Sequence, residues 1–119
     1  MPAIVRIPGP RGRIRNVAPV ENRTYRGRVY HSAAEAKKAF ELDLLKKAGV
    51  IKDWWPQCEF KLVVNDQLIC KMIVDFKVLE PNLNVHWIEV KGIESEVWII
   101  KRKLLLALYP KLDYRVCKV

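Results

Sequence analysis

Hydrophobic and polar positions change rhythm several times along the chain, and each change marks an element. Residues 1–24 keep no period. Prolines and glycines (Pro2, Pro8, Gly9, Pro10, Gly12, Pro19) interrupt them throughout, so they read as an arm with little regular structure. Residues 25–30 fit a short edge strand. Ser32 then opens a helix predicted over 33–48, with Gly49 at the C-terminal position that glycine favours. After Trp54-Trp55-Pro56 come three β-like runs, over about 59–64, 69–79 and 85–91. A second helix is predicted over 94–109, with Val97, Ile100, Leu104 and Leu108 at helical spacing and Pro110 as the stop. Residues 114–119 alternate as a last strand. The order is α-β-β-β-α-β: a mixed α/β domain over 25–119, its sheet beginning as an antiparallel meander, preceded by the arm.

Residues 80–84, Glu-Pro-Asn-Leu-Asn, have the composition of a turn. With those five as the loop, Leu79 faces Val85 and Asp75 falls opposite Glu89. Alternation places Met72, Val74, Phe76 and Val78 on one face with Ile88 and Val90, an apolar set for a core. The other face carries Ile73, Asp75, Lys77 and Leu79 beside Trp87, Glu89 and Lys91. Two carboxylates facing each other across a strand pair, with Cβ atoms about 5 Å apart, destabilise a sheet unless a cation compensates. Lys91 lies on the same face and supplies part of that charge. A divalent metal would supply the rest, because Mg²⁺ takes hard oxygen ligands at about 2.0–2.1 Å and keeps positions for water and phosphate. Such a metal could polarise a phosphodiester and lower the pKa of a water, while Lys91 balanced charge on the phosphorane. The same residues also read as a solvated salt-bridge cluster, Asp75 with Lys91 or Glu89 with Lys77.

Composition narrows the class. At 119 residues the chain forms one domain, and half its residues are hydrophobic, enough to fold. No apolar run approaches a membrane span, and the N-terminus lacks the layout of a secretory signal. Cys58, Cys70 and Cys117 form no CxxC pair and leave one over, which suits free thiols in a reducing cytoplasm and argues against zinc. The net charge is +9, and residues 1–31 hold seven arginines (Arg6, Arg11, Arg13, Arg15, Arg23, Arg26, Arg28) against the single Glu21. Guanidinium clusters suit phosphate through bidentate contacts, so the basic segment points to nucleic acid; a solvated tail or an acidic protein partner is the other reading.

Asp75 followed by Glu89-Val90-Lys91 resembles the D…ExK signature of the PD-(D/E)XK nuclease superfamily, whose core order is αβββαβ. Ser32-Ala33-Ala34-Glu35, Pro56-Gln57, Val74-Asp75-Phe76, Glu89-Val90-Lys91-Gly92 and Lys101-Arg102-Lys103 extend the likeness. Together they resemble small phage and prophage proteins related to archaeal-type Holliday junction resolvases. The likeness covers about residues 25–119. One departure is Val74 in place of the proline of the signature, a proline the superfamily itself often lacks. The resemblance implies a restriction-endonuclease-like fold with a mixed sheet flanked by helices. It implies Asp75 and Glu89 as metal ligands, the Val90 carbonyl as a third, Lys91 as catalytic lysine, and Glu35 as a further acidic group acting directly or through a water. It further implies Mg²⁺, with Mn²⁺ as substitute, no small-molecule cofactor, and a homodimer cutting branched or duplex DNA in the cytoplasm, a host's if the chain is phage-encoded. Arg11, Arg13, Arg15, Arg23, Arg26, Arg28, Lys101 and Lys103 are then the expected contacts to nucleic acid.

Some residues carry rival readings. Ser32-x-x-Glu35 is also a capping box, in which the glutamate bonds back to the Ser32 N–H. His31 and His86 stand too far apart for a zinc pair and read as surface or structural. Trp54 and Trp55 could stack on bases or serve a core or dimer contact. The alternatives in function are another nuclease of the same fold (nicking, restriction-like or transposase-type), a non-catalytic nucleic-acid-binding module, and a protein-interaction domain working through its arm.

Overall fold

A computed structural model of the protein describes residues 17–119. A single 3-10 turn, Val20–Arg23, leads into β1 (Thr24–Tyr25) and β2 (Arg28–Val29). These two short strands pair across Arg26-Gly27, whose φ angles of 51° and 81° make the type I′ turn that closes tight hairpins. One edge strand over 25–30 was expected; the Arg-Gly pair folds the segment back on itself instead. Asp43 ties the hairpin down, accepting hydrogen bonds from the Tyr25 hydroxyl (2.6 Å), the Trp54 Nε1–H (2.8 Å) and Arg26 (3.2 Å).

α1 (Ala33–Lys47) starts at Ser32, whose Oγ accepts the Glu35 N–H at 3.1 Å, and buries Glu35, Ala36, Ala39 and Leu42 on one stripe. It ends in a Schellman motif: the Val50 N–H donates to the Leu45 carbonyl and the Gly49 N–H to that of Lys46. Gly49 sits at φ 77°, the conformation that requires glycine there.

The main sheet has the order β3-β4-β5-β6, with β3 (Asp53–Val64), β4 (Gln67–Leu79), β5 (Val85–Lys91) and β6 (Tyr114–Lys118). β3, β4 and β5 are an antiparallel meander; α2 (Glu96–Leu108) returns the chain so that β6 runs parallel to β5. The α-β-β-β-α-β order is therefore the observed order after the hairpin. β3 begins at Asp53, well before residue 59, because Pro56 is tolerated on an edge strand. The β4–β5 register is the expected one, with Leu79 on Val85 and Phe76 on Ile88.

Two departures matter. Met72, Val74, Phe76 and Val78 are all buried, but not in one core. Phe76 and Val78 pack with Ile88, Val90 and the α1 residues Ala36, Ala39 and Leu42. Met72 and Val74 pack with Leu62 and with Trp98 and Leu105 of α2. Strict alternation fails between Val74 and Phe76, where Gln57 of β3 takes φ 51° and its pairing with Asp75 is missing from the ladder. The second departure concerns α2. Val97 and Ile100 are 62% and 65% exposed, while Trp98 and Leu105 are buried. The segment Glu96–Leu108 is apolar on nearly every side, so spacing alone could not select the inward stripe.

Candidate active site

Asp75 stands where the sheet opens. On the β3 side its partner would be Gln57, and that pair is absent; on the β5 side the ladder stops at Phe76–Ile88, one position short of the expected Asp75–Glu89 pair. In place of a backbone bond, the Asp75 Oδ2 accepts the Val90 N–H at 2.8 Å. The carboxylate thus replaces a ladder acceptor and is 7% exposed. The Val90 contact seen is through its N–H, whereas the sequence suggested its carbonyl as a metal ligand.

Two further carboxyl groups converge on Asp75. Glu89 is 4% exposed and accepts the Tyr114 hydroxyl at 3.0 Å on Oε1; Glu35, from the first turn of α1, is 6% exposed. Burial first, then the negative charge of Asp75, lift the Glu35 carboxyl to about 7 and the Glu89 carboxyl to about 8. Ser32 and Lys91 oppose the rise at Glu35, Tyr114 and Lys91 at Glu89. Burial and Glu89 in turn hold the Tyr114 hydroxyl well above its ordinary range. Of the capping box only one half forms: Ser32 caps the Glu35 N–H and lies 3.4 Å from Oε2, while Oε1 is buried without a hydrogen-bond partner. Glu35 therefore both starts the helix and faces the sheet.

Lys91 continues β5 past Glu89. Its Nζ lies 5.0 Å from the centre of the Trp98 ring. Glu35, Val90 and Lys91 open onto a cleft of about 760 Å³, bordered also by Ala18, His31, Ser32, Gly92 and Ser95. Among the described residues, no group of three or more His, Cys, Asp or Glu stands ready-made around one metal position. Burial and the mutual repulsion of the cluster favour the protonated forms of Glu35 and Glu89. In donor chemistry they nonetheless suit a hard divalent cation: every donor is oxygen, the charge is buried, and Glu35 Oε1 lacks a partner.

The remaining expected residues divide. Arg11, Arg13 and Arg15 lie outside the described residues. Arg23 works inside the fold, donating from Nε to the Ala18 carbonyl (3.0 Å) and from a guanidinium NH to that of Tyr30 (2.8 Å). Arg26 pairs with Asp43, and Arg28 donates to Gln57 Oε1 at 3.2 Å; both stay exposed. On α2, Lys103 is exposed and Lys101 half-buried, yet the cation beside Trp98 is Arg102, 5.7 Å from the ring centre. Sequence reasoning passed over Tyr114, Trp98 and Arg102. The one available signal was an aromatic and an arginine four apart on α2. His86 is buried against Glu80 (2.7 Å), a structural pair. Trp54 packs on Phe76 in the core, whereas Trp55 is 41% exposed and holds Lys77 over its ring. The three cysteines are free, and no described helix is long and apolar enough to cross a membrane.

Comparison of the chain with protein-family models, with curated proteins and with solved structures finds no match.

Proposed function

We propose that the chain is a metal-dependent, structure-selective DNA endonuclease of the PD-(D/E)XK kind, acting on four-way junctions as a homodimer. The observation that carries this reading is the convergence of Glu35, Asp75 and Glu89 in one buried cluster beside Lys91. A protein gains no stability from burying three carboxyl groups together, since each loses water and repels the next. A cluster of this kind is a functional candidate because its cost needs a purpose. The D…ExK spacing and the α-β-β-β-α-β order support the same reading.

Asp75 and Glu89 would hold the cation, Mg²⁺ or Mn²⁺, with the Val90 carbonyl and Glu35 as further oxygen donors. When bound, it would supply polarisation of the phosphodiester and activation of water. The residues of the chain do the rest. The Val90 N–H fixes the orientation of Asp75, and the Tyr114 hydroxyl fixes that of Glu89. Lys91 places a positive charge where the phosphorane develops its negative one. Glu35 Oε1, buried beside the cleft and without another partner, is the oxygen free to accept a proton. Dimerisation follows from the substrate: a four-way junction needs two symmetric cuts, which a C₂ pair supplies.

Incubating a labelled four-way junction with Mg²⁺ and either the wild type or Glu89→Ala tests the reading. The wild type cuts; the variant loses about a thousandfold or more in rate while still binding. Equal cleavage by both would sink the site assignment. Another nuclease of this fold would share the site, and cutting linear, nicked and flapped duplexes as fast as the junction would favour it. A binding module without catalysis would bind the junction and leave it intact at every metal concentration.

A further inference from the structure

The face of α2 turned toward the site carries a cation that neither the D…ExK pattern nor its spacing singles out. Arg102 follows Trp98 by four residues and precedes Leu105 by three, so it shares the helical stripe that points into the sheet. Trp98 and Leu105 are buried, and a guanidinium on that stripe has to leave along the Trp98 ring. It does so at 5.7 Å from the ring centre, and Lys91 approaches the same ring at 5.0 Å. Trp98 therefore serves as a common shelf for two positive charges, one of them the lysine of the candidate active site.

Neighbouring charges locate the pair further. Glu94, just before α2, is held below its ordinary range by Lys118 first, then by Arg102 and Lys91. Arg102 also acts on Tyr114, the residue that holds Glu89. Around the exit of β5 there are thus three cations, Lys91, Arg102 and Lys118. Glu94, the acid they share, is already bonded to Lys118. Among the described residues neither Lys91 nor Arg102 is held in a close ion pair, so an incoming anion can approach both charges. The Arg102 guanidinium has no hydrogen-bond or ion-pair partner among the described residues, so its N–H fork is free to meet phosphate oxygens.

We infer that Arg102, placed over the Trp98 ring that Lys91 also approaches, binds a backbone phosphate of the nucleic acid next to the one being cleaved. This rests on the nuclease reading and assigns to Arg102 a role that the family resemblance implies for its neighbours Lys101 and Lys103. Arg102 is a binding residue here, and the chemistry stays with the carboxylate cluster and Lys91.

The test compares wild type, Arg102→Gln, Arg102→Lys and Lys103→Ala on one labelled four-way junction. Binding is measured in EDTA between about 50 and 200 mM salt, and cleavage is measured with Mg²⁺. Arg102→Gln keeps the packed stem and loses the charge. It should weaken binding about tenfold and reduce the salt slope by about one, with a matching rise in KM and little change in kcat. Arg102→Lys should recover the salt slope but only part of the affinity, since it lacks the fork. Lys103→Ala should weaken binding less than Arg102→Gln does, which would place the main phosphate contact at Arg102. Thermal melting separates loss of a contact from loss of fold, and Arg102→Lys keeps the question open to refutation should the glutamine variant melt early. If wild type binds and cuts while Arg102→Gln matches it in affinity and slope, the inference falls alone. If wild type neither binds nor cuts any DNA tested, the nuclease reading falls and takes this inference with it.

Discussion

Glu35 and Glu89 are held in a state that ordinary glutamates leave near pH 4.3, and this links protonation to stability. Below that pH both the folded and unfolded chains carry these protons. As pH rises, the unfolded chain releases them first and the folded chain keeps them until about 7 and 8. The folded state is therefore favoured below the ordinary glutamate value, and that advantage is lost as pH climbs through 7 to 8. A divalent cation binding the ionised cluster should restore it. In EDTA the melting temperature should fall between pH 5 and pH 8.5, Mg²⁺ should raise it more at pH 8 than at pH 5.5, and Glu89→Gln should flatten both responses. A variant with the wild-type pH slope and the wild-type Mg²⁺ effect would show that the cluster is not the source. At this scale the sequence went far. Asp75 and Glu89 were legible as neighbours because a five-residue turn and a period of two determine strand register over a short distance. Tyr114 was not, since it comes from β6 and meets Glu89 only after α2 has carried the chain back across the sheet.

Among the elements, α2 separates what patterning can and cannot say. Its existence, its Ser95 cap and its end before Pro110 are local matters: Ser95 Oγ accepts the Trp98 N–H at 3.2 Å, and proline cannot continue the helix. Its rotation is not local. With Val97, Trp98, Ile99, Ile100, Leu104, Leu105 and Leu106 all apolar, several stripes satisfy a helical period. Docking selects the one whose shapes fit Leu62, Met72 and Val74. Leu105→Ala should therefore cost about 2–5 kcal/mol in urea unfolding, while Ile100→Ala should cost less than about 0.5 kcal/mol. Equal costs would mean that the helix presents the other stripe. β4 has the same character: its alternation is regular in sequence, yet the break opposite Gln57 sends its two halves to different cores. That break also frees Asp75 from the β3 ladder, so one backbone feature serves both the packing and the site.

For the whole molecule, charge is distributed unevenly between the arm and the body. Arg6, Arg11, Arg13 and Arg15 precede the described residues, whereas Arg23 is bonded within the fold to Ala18 and Tyr30. Two truncations should therefore behave differently. Removal of residues 1–16 should weaken DNA binding and lower its salt slope with little effect on kcat. Removal of residues 1–24 should also lower the melting temperature, because it takes away the Arg23 bonds and the Thr24–Val29 pair of the hairpin. A loss of kcat with unchanged affinity on removing 1–16 would assign the arm to catalysis instead.

What the sequence determined by itself is whatever a few neighbouring residues decide: the order of elements, the caps, the turn at 80–84, and through it the adjacency of Asp75, Glu89 and Lys91. Only the tertiary structure decided that Glu35 turns inward from its helix cap, that Tyr114 holds Glu89, that Arg102 shares Trp98 with Lys91, and that β4 serves two cores. Those outcomes depend on how distant surfaces fit together, and where a segment is apolar on every side or a strand changes face, spacing along the chain carries no record of the fit.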